Sequence, residues 1–112
     1  MSRDEALFLD ILLAARDAVS YLGDLDFPAF EKSGLHQDAV VRALEVIGEA
    51  AGRLSEEAKR ANSRVPWHEI TGMRNSLIHE YFRVDLEEVW FTVKNDIPRL
   101  VEEMEKLVPP EG

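Results

Sequence analysis

HQDAVVRALEVIGEAAGRL, residues 36–54, decides the fold. Val40, Ala43, Leu44, Ile47, Ala50, Ala51 and Leu54 recur at the three- and four-residue intervals of one helical face, while Asp38, Arg42, Glu45 and Glu49 form a second, charged stripe. The spacing predicts a helix with one side in a core and the other in water. Gly48 and Gly52 fall four apart within it. Each glycine weakens a helix by about 1 kcal/mol relative to alanine, so the pair signals the close approach of another backbone unless the fold merely tolerates it. That neighbour is either a helix of the same chain or a second subunit.

Working outward, the same period recurs on both sides. Before this stretch, Leu7, Ile11, Ala14, Ala15, Ala18, Val19 and Leu22 trace a core helix with Ser2 or Asp4 as cap and Gly23 as stop. Between the two, Asp24 to Gly34 is turn-rich, yet Phe27 and Phe30 around Pro28 predict a short helical turn packed over the end of the core. After it, Ser55-Glu56-Glu57-Ala58 starts a short helix ending near Asn62. Pro66 then opens another helix, with Trp67, Ile70, Met73 and Leu77 as its apolar seam. The last helix begins at a capping-box pattern, Asp85-Leu86-Glu87-Glu88, and should kink or split near Asn95-Asp96, ahead of Pro98. No strand pattern, repeat or low-complexity segment competes, so the fold class is all-α, an up-and-down bundle of four to five helices in a single domain spanning residues 1–112, with a frayed tail from about Pro109.

Composition narrows the function. The 112 residues hold no cysteine, which excludes a disulfide framework, a thiol nucleophile and a thiolate metal site. There is no run of the roughly 20 apolar residues needed to cross a bilayer, and the charged start is unlike a signal peptide, so the expectation is a soluble, cytoplasmic protein with no membrane partner. The formal charge of −9 argues against general nucleic-acid binding. The charge is uneven, however: from 59 to 83, Lys59, Arg60, Arg64, Arg74 and Arg83 face only Glu69 and Glu80, a local +3.

That window contains Gly72-Met73-Arg74-Asn75-Ser76-Leu77-Ile78-His79-Glu80-Tyr81. Arginine binds a phosphate through paired hydrogen bonds and stays charged, and histidine exchanges protons near neutral pH. Together they suit metal-independent RNA cleavage, in which a ribose 2′-OH is activated against its neighbouring phosphate. Such a displacement is helped by both a base and an acid, whereas the motif carries one histidine; a symmetric dimer would supply the second. On one regular helix Arg74 and His79 would diverge by about 140°. Either the helix ends or loosens near Ile78-His79, the arrangement the new start at Asp85 favours, or the two residues meet across a subunit boundary.

The sequence resembles the HepT-like members of the HEPN superfamily, ribonuclease toxins paired with small MntA-like nucleotidyltransferase antitoxins. The resemblance spans most of the chain: Asp10 to Ala15, Ala39-Val40, Ile47 to Ala51, Pro66 to Asn75 and Ile97-Pro98, with Arg74, Asn75, His79 and Tyr81 filling the family's motif. It implies a metal-independent endoribonuclease toxin of a type VII-like toxin–antitoxin system, needing no cofactor or metal and acting as a homodimer whose two motifs line one cleft. Carried over, Arg74 binds the scissile phosphate, His79 transfers the proton, Asn75 positions substrate or holds the arginine, and Tyr81 receives AMP from the cognate antitoxin.

Two rivals stand beside this reading. One is a non-catalytic helical partner or scaffold subunit of a nucleotidyltransferase, against which the intact motif argues. The other is a metal hydrolase using His36, His68 and His79, whose scattered spacing lacks a ligand pair. Arg83 and Lys94 are further candidates for contact with substrate phosphates. Trp67, Trp90, Phe27 and Phe30 read as core rather than as stacking platforms, because they fall on apolar seams.

Overall fold

In a computed structural model the chain is built from seven helices among the described residues, which are 1–79 and 85–110, the side chains of Ile78 and His79 excepted. They are α1 (Arg3–Leu22), α2 (Phe27–Glu31), α3 (Gly34–Arg53), α4 (Glu56–Ala61), α5 (Trp67–His79), α6 (Leu86–Asn95) and α7 (Ile97–Leu107). There is no strand among them. Four bodies make the expected bundle: α1, α3, α5 and the α6–α7 pair, with α2 and α4 as one-turn additions.

Local chemistry sets the ends. Ser2, not Asp4, caps α1: its hydroxyl accepts from the Glu5 amide at 3.1 Å while the Ser2 amide donates to Glu5 at 2.9 Å, a reciprocal capping box. Asp4 instead accepts from the backbone N–H of Ser55 at 3.0 Å and from its hydroxyl at 2.7 Å. Ser55 meanwhile caps α4 through the Ala58 amide. The starts of α1 and α4, distant in sequence, are thereby joined. Gly23 closes α1 at a φ of +56°, a backbone conformation that side chains other than glycine's resist. Asp85 caps α6 as the sequence predicts, and the break at Asp96 leaves Pro98 in the first turn of α7, where its missing N–H is no loss.

The long helix α3 lies between α1 and α5, and α1 also packs on α7. Its apolar stripe is fully used: Val40, Leu44, Ile47 and Ala51 are completely buried beside Ile11, Ala15, Leu22, Phe30 and Met104. The least extent of the molecule, 20 Å, is about two helix diameters. This is a two-layer arrangement in which the face of α3 carrying Asp38, Arg42 and Glu49 remains exposed. The aromatic residues fall as expected. Phe30 and Trp67 are buried, and Trp90 meets Phe27 edge-on at 6.2 Å and donates its indole N–H to the Leu25 carbonyl at 3.0 Å. No helix among the described residues is long and apolar enough to cross a membrane.

Candidate active site

The motif helix is fixed from its buried side. Trp67 and Leu77 are buried on the core, Ile70 and Met73 are partly so, and the Trp67 indole donates to the Asn62 carbonyl at 3.1 Å. Because Leu77 holds the last turns against the core, α5 stays helical through His79. His79 is the last residue of α5 as described, at the place where the sequence expects the helix to end. Arg74 and His79 therefore occupy positions about 140° apart around one helix and about 7.5 Å apart along it.

Arg74 sits where α5 crosses α3. A methyl group added to Gly48 would overlap the Arg74 Cβ and come within 2.7 Å of its Cγ, so the glycine leaves the space that the arginine stem occupies. This identifies the neighbour that the paired glycines predict as the motif helix. Gly52 continues the contact one turn on, where an added Cβ would lie 4.0 Å from the Thr71 methyl. The half-buried stem directs the guanidinium along the helix, and one terminal nitrogen donates to the Asn75 side-chain oxygen at 3.3 Å. The buried Nε has no hydrogen-bond partner among the described residues. A charged donor left unsatisfied is costly, so the fold holds the arginine stem here against an energetic penalty.

Asn75 and Ser76 are exposed, so the amide that braces Arg74 also faces solvent. His79 contributes its backbone to α5, and Tyr81 and Arg83 lie outside the described residues. Two other cations of the basic window are engaged elsewhere. Lys59 pairs with Glu56 at 3.9 Å, and Arg64 lines a different cleft of about 670 Å³ floored by Ile47, Ile70 and Leu100. That cleft carries Glu69, Glu88, Asp96 and Glu103 against Arg64 and Arg99, a balance unsuited to phosphate. Lys94 is committed to the fold, donating to the Gly23 carbonyl at 2.9 Å and lying 5.9 Å from the centre of the Trp90 ring. His36 contacts the Ser33 hydroxyl at the start of α3, and no group of three acidic or histidine side chains among the described residues is arranged to hold a metal ion.

The HepT-like ribonuclease family model matches residues 11–107, and it covers α3, the glycine crossing and the whole motif helix. The chain belongs to the HepT-like ribonuclease family. It is 40% identical over 104 residues to "Putative RNase MJ1380" of Methanocaldococcus jannaschii, covering 92% of this chain and 95% of that protein. It is 39% identical over 108 residues to "Probable ribonuclease HepT" of Thermococcus cleftensis, covering 96% and 98% respectively. A third relative, "Putative RNase TTE0752" of Caldanaerobacter subterraneus, is 41% identical over 87 residues, 78% of each chain. No solved structure matches the chain.

Proposed function

We propose that this HepT-like chain is a metal-independent endoribonuclease, acting as a homodimer and belonging to a type VII-like toxin–antitoxin system. The observation that carries the reading is the Arg74 guanidinium, held on Gly48 by its stem and on the exposed Asn75 by its tip. Family membership supplies the reaction class.

In that reaction the ribose 2′-oxygen attacks the adjacent phosphorus. A new P–O2′ bond forms, the P–O5′ bond breaks, His79 takes the 2′-hydroxyl proton, and the leaving 5′-oxygen gains a proton from the second subunit's histidine. Arg74 stabilises the charge that builds on the phosphate, where fixed donors are most effective. Asn75 holds the arginine in place and orients substrate. Tyr81 is the off switch: its phenol oxygen attacks the α-phosphate of ATP on an MntA-like nucleotidyltransferase antitoxin, pyrophosphate leaves, and the new phosphodiester brings negative charge and bulk to the site.

Purified protein is expected to cut an RNA pool in excess EDTA, leaving 2′,3′-cyclic phosphate ends, with Arg74→Ala and His79→Ala inactive. Full cleavage by His79→Ala would remove the catalytic assignment. No cleavage by the unmodified protein would favour a scaffold subunit instead. AMP transfer that persists on Tyr81→Phe would remove the switch.

A further inference from the structure

The polar face of α5 extends beyond the motif. At 100° per residue, Asn75 lies about 20° to one side of His68 and the position of His79 about 20° to the other, with Gly72 about 40° and Ser76 about 80° round. His68, Gly72, Asn75 and Ser76 are all exposed. The Arg74 stem is turned about 120° from His68, towards Gly48, yet its guanidinium returns to this face by donating to Asn75. Glu69, the single acidic residue of α5, lies about 100° round from His68 and lines the cleft towards α7. In a chain of −9, the motif helix thus places no carboxylate of its own on the face that a polyanion would approach.

Gly72 and His68 give this face its shape. A Cβ added at Gly72 would meet nothing within 4 Å, unlike one at Gly48, so no neighbour among the described residues requires the glycine. Alanine would strengthen the helix at this point. What glycine offers instead is a length of helix without a side chain, where a sugar or a base can lie against the backbone. His68 stands one turn before it. Single-stranded RNA is held largely by stacking its bases on exposed rings, histidine among them. Other rings are not placed for this. Among the described residues Phe8, Phe30 and Trp67 are buried, Phe27 and Trp90 meet edge-on, and the exposed Tyr21 and Phe91 stand on α1 and α6. Of the described side chains of α5, His68 is the exposed ring. About 10 Å along the helix separates it from Asn75, on the order of three nucleotides at the 3.4 Å spacing of a stacked strand.

We propose that His68 is a stacking platform for a base of the RNA substrate, about three nucleotides from the scissile phosphate, and that the strand reaches it across Gly72. The inference rests on the ribonuclease reading, because it takes the Arg74 and Asn75 pair as the place where the phosphate is cut. It adds a binding residue outside the motif, one that holds the strand without taking part in proton transfer. Stacking tolerates any base, so His68 sets the length of RNA that is held and not its sequence.

The test uses a single-stranded RNA of about ten nucleotides and the same strand with 2′-O-methyl riboses, which offers no 2′-hydroxyl to attack and so reports binding alone. His68→Ala is expected to weaken binding of the methylated strand about tenfold and to raise KM for the unmodified strand by a similar factor, with kcat within about twofold of wild type. His68→Phe should restore both, since it keeps a ring and loses the ring nitrogens. Gly72→Ala is expected to raise the denaturation midpoint while weakening binding, a combination that a purely structural role does not produce. Unchanged binding and KM in His68→Ala, or an equal loss in His68→Phe, would overturn the stacking platform and leave the catalytic reading. A His68→Ala or Gly72→Ala variant that sediments at a lower mass than wild type would assign this face to a second subunit instead of RNA, and would overturn the platform as well. A methylated strand held through His68, with no cleavage of the unmodified strand, would remove the catalytic reading and leave the platform.

Discussion

Gly48 and Arg74 are in contact at the crossing of α3 and α5, with no room between them for a methyl group. Two effects compete in Gly48→Ala. Alanine favours the helix by about 1 kcal/mol, while overpacking a fixed contact costs about 1–3 kcal/mol. The obstructing atom is Arg74 Cβ, which moves only with its helix, so overpacking wins. Gly48→Ala is expected to lower stability by about 1–2 kcal/mol in urea denaturation and to reduce RNA cleavage by more than the loss of folded protein explains. Unchanged stability would mean that α5 shifts freely on α3.

Asn75 separates a positioning role from a structural one. Its contact with Arg74 is solvent-exposed and 3.3 Å long, so Asn75→Ala should change stability by less than about 0.5 kcal/mol. The guanidinium it braces is expected to wander, lowering kcat about tenfold with a smaller effect on KM, a difference of about 1.4 kcal/mol in the barrier. Equal loss of stability and activity would make Asn75 a fold residue.

Much of the fold is legible in the sequence because its signals are local. The period of α3, the caps at Ser2, Ser55 and Asp85, and the break before Pro98 depend on residues a few positions apart. Long-range pairings are not so encoded. Nothing local tells that Asp4 gives up capping to bind Ser55, that Lys94 reaches the Gly23 carbonyl, or which of its possible neighbours Gly48 admits. The basic window misleads for a related reason: closeness in sequence places Lys59 and Arg64 on other surfaces than Arg74. Arg74 and Asn75 are legible because adjacent residues on an anchored helix stay adjacent, whereas Arg74 and His79 on that helix are turned apart.

Trp90 ties the α6 end of the bundle to the turn after α1. Trp90→Phe keeps a ring against Phe27 but removes the N–H that donates to Leu25, leaving a partly buried carbonyl without its partner. Such a loss costs about 1–2 kcal/mol. A lower denaturation midpoint with an unchanged slope is expected, and RNA cleavage should be unaffected in the fraction that is folded.

Asp4 gives a pH signature. The backbone N–H of Ser55, then its hydroxyl, stabilise the charged form and hold the Asp4 carboxyl below its usual range near pH 3.9. The group's folded value is depressed, so its contribution is present above the unfolded value and is lost as pH falls through the folded one. Asp4→Asn should lower the melting temperature slightly at pH 7 and converge with wild type as the pH falls through the depressed folded-state value, below the usual carboxylate range. The effect is small because the carboxylate is in solvent. A constant difference across that range would show that the hydrogen bonds, not the charge, join α1 to α4.

Mixing wild type with His79→Ala distinguishes a histidine pair shared by two chains from a site that each chain completes alone. In the proposed reaction one His79 takes the 2′-hydroxyl proton and the second subunit's His79 protonates the leaving oxygen, so a heterodimer with one histidine is inactive. Random exchange of equal amounts makes about one quarter of the dimers wild type and about half heterodimers, so about one quarter of the activity of an all-wild-type sample is expected in an EDTA-containing RNA assay. If each chain works with its own Arg74 and His79, the heterodimer keeps one of two sites and about half of that activity is expected. The larger value, with exchange confirmed by sedimentation of tagged subunits, would remove the shared histidine pair and leave each chain to supply both its base and its acid.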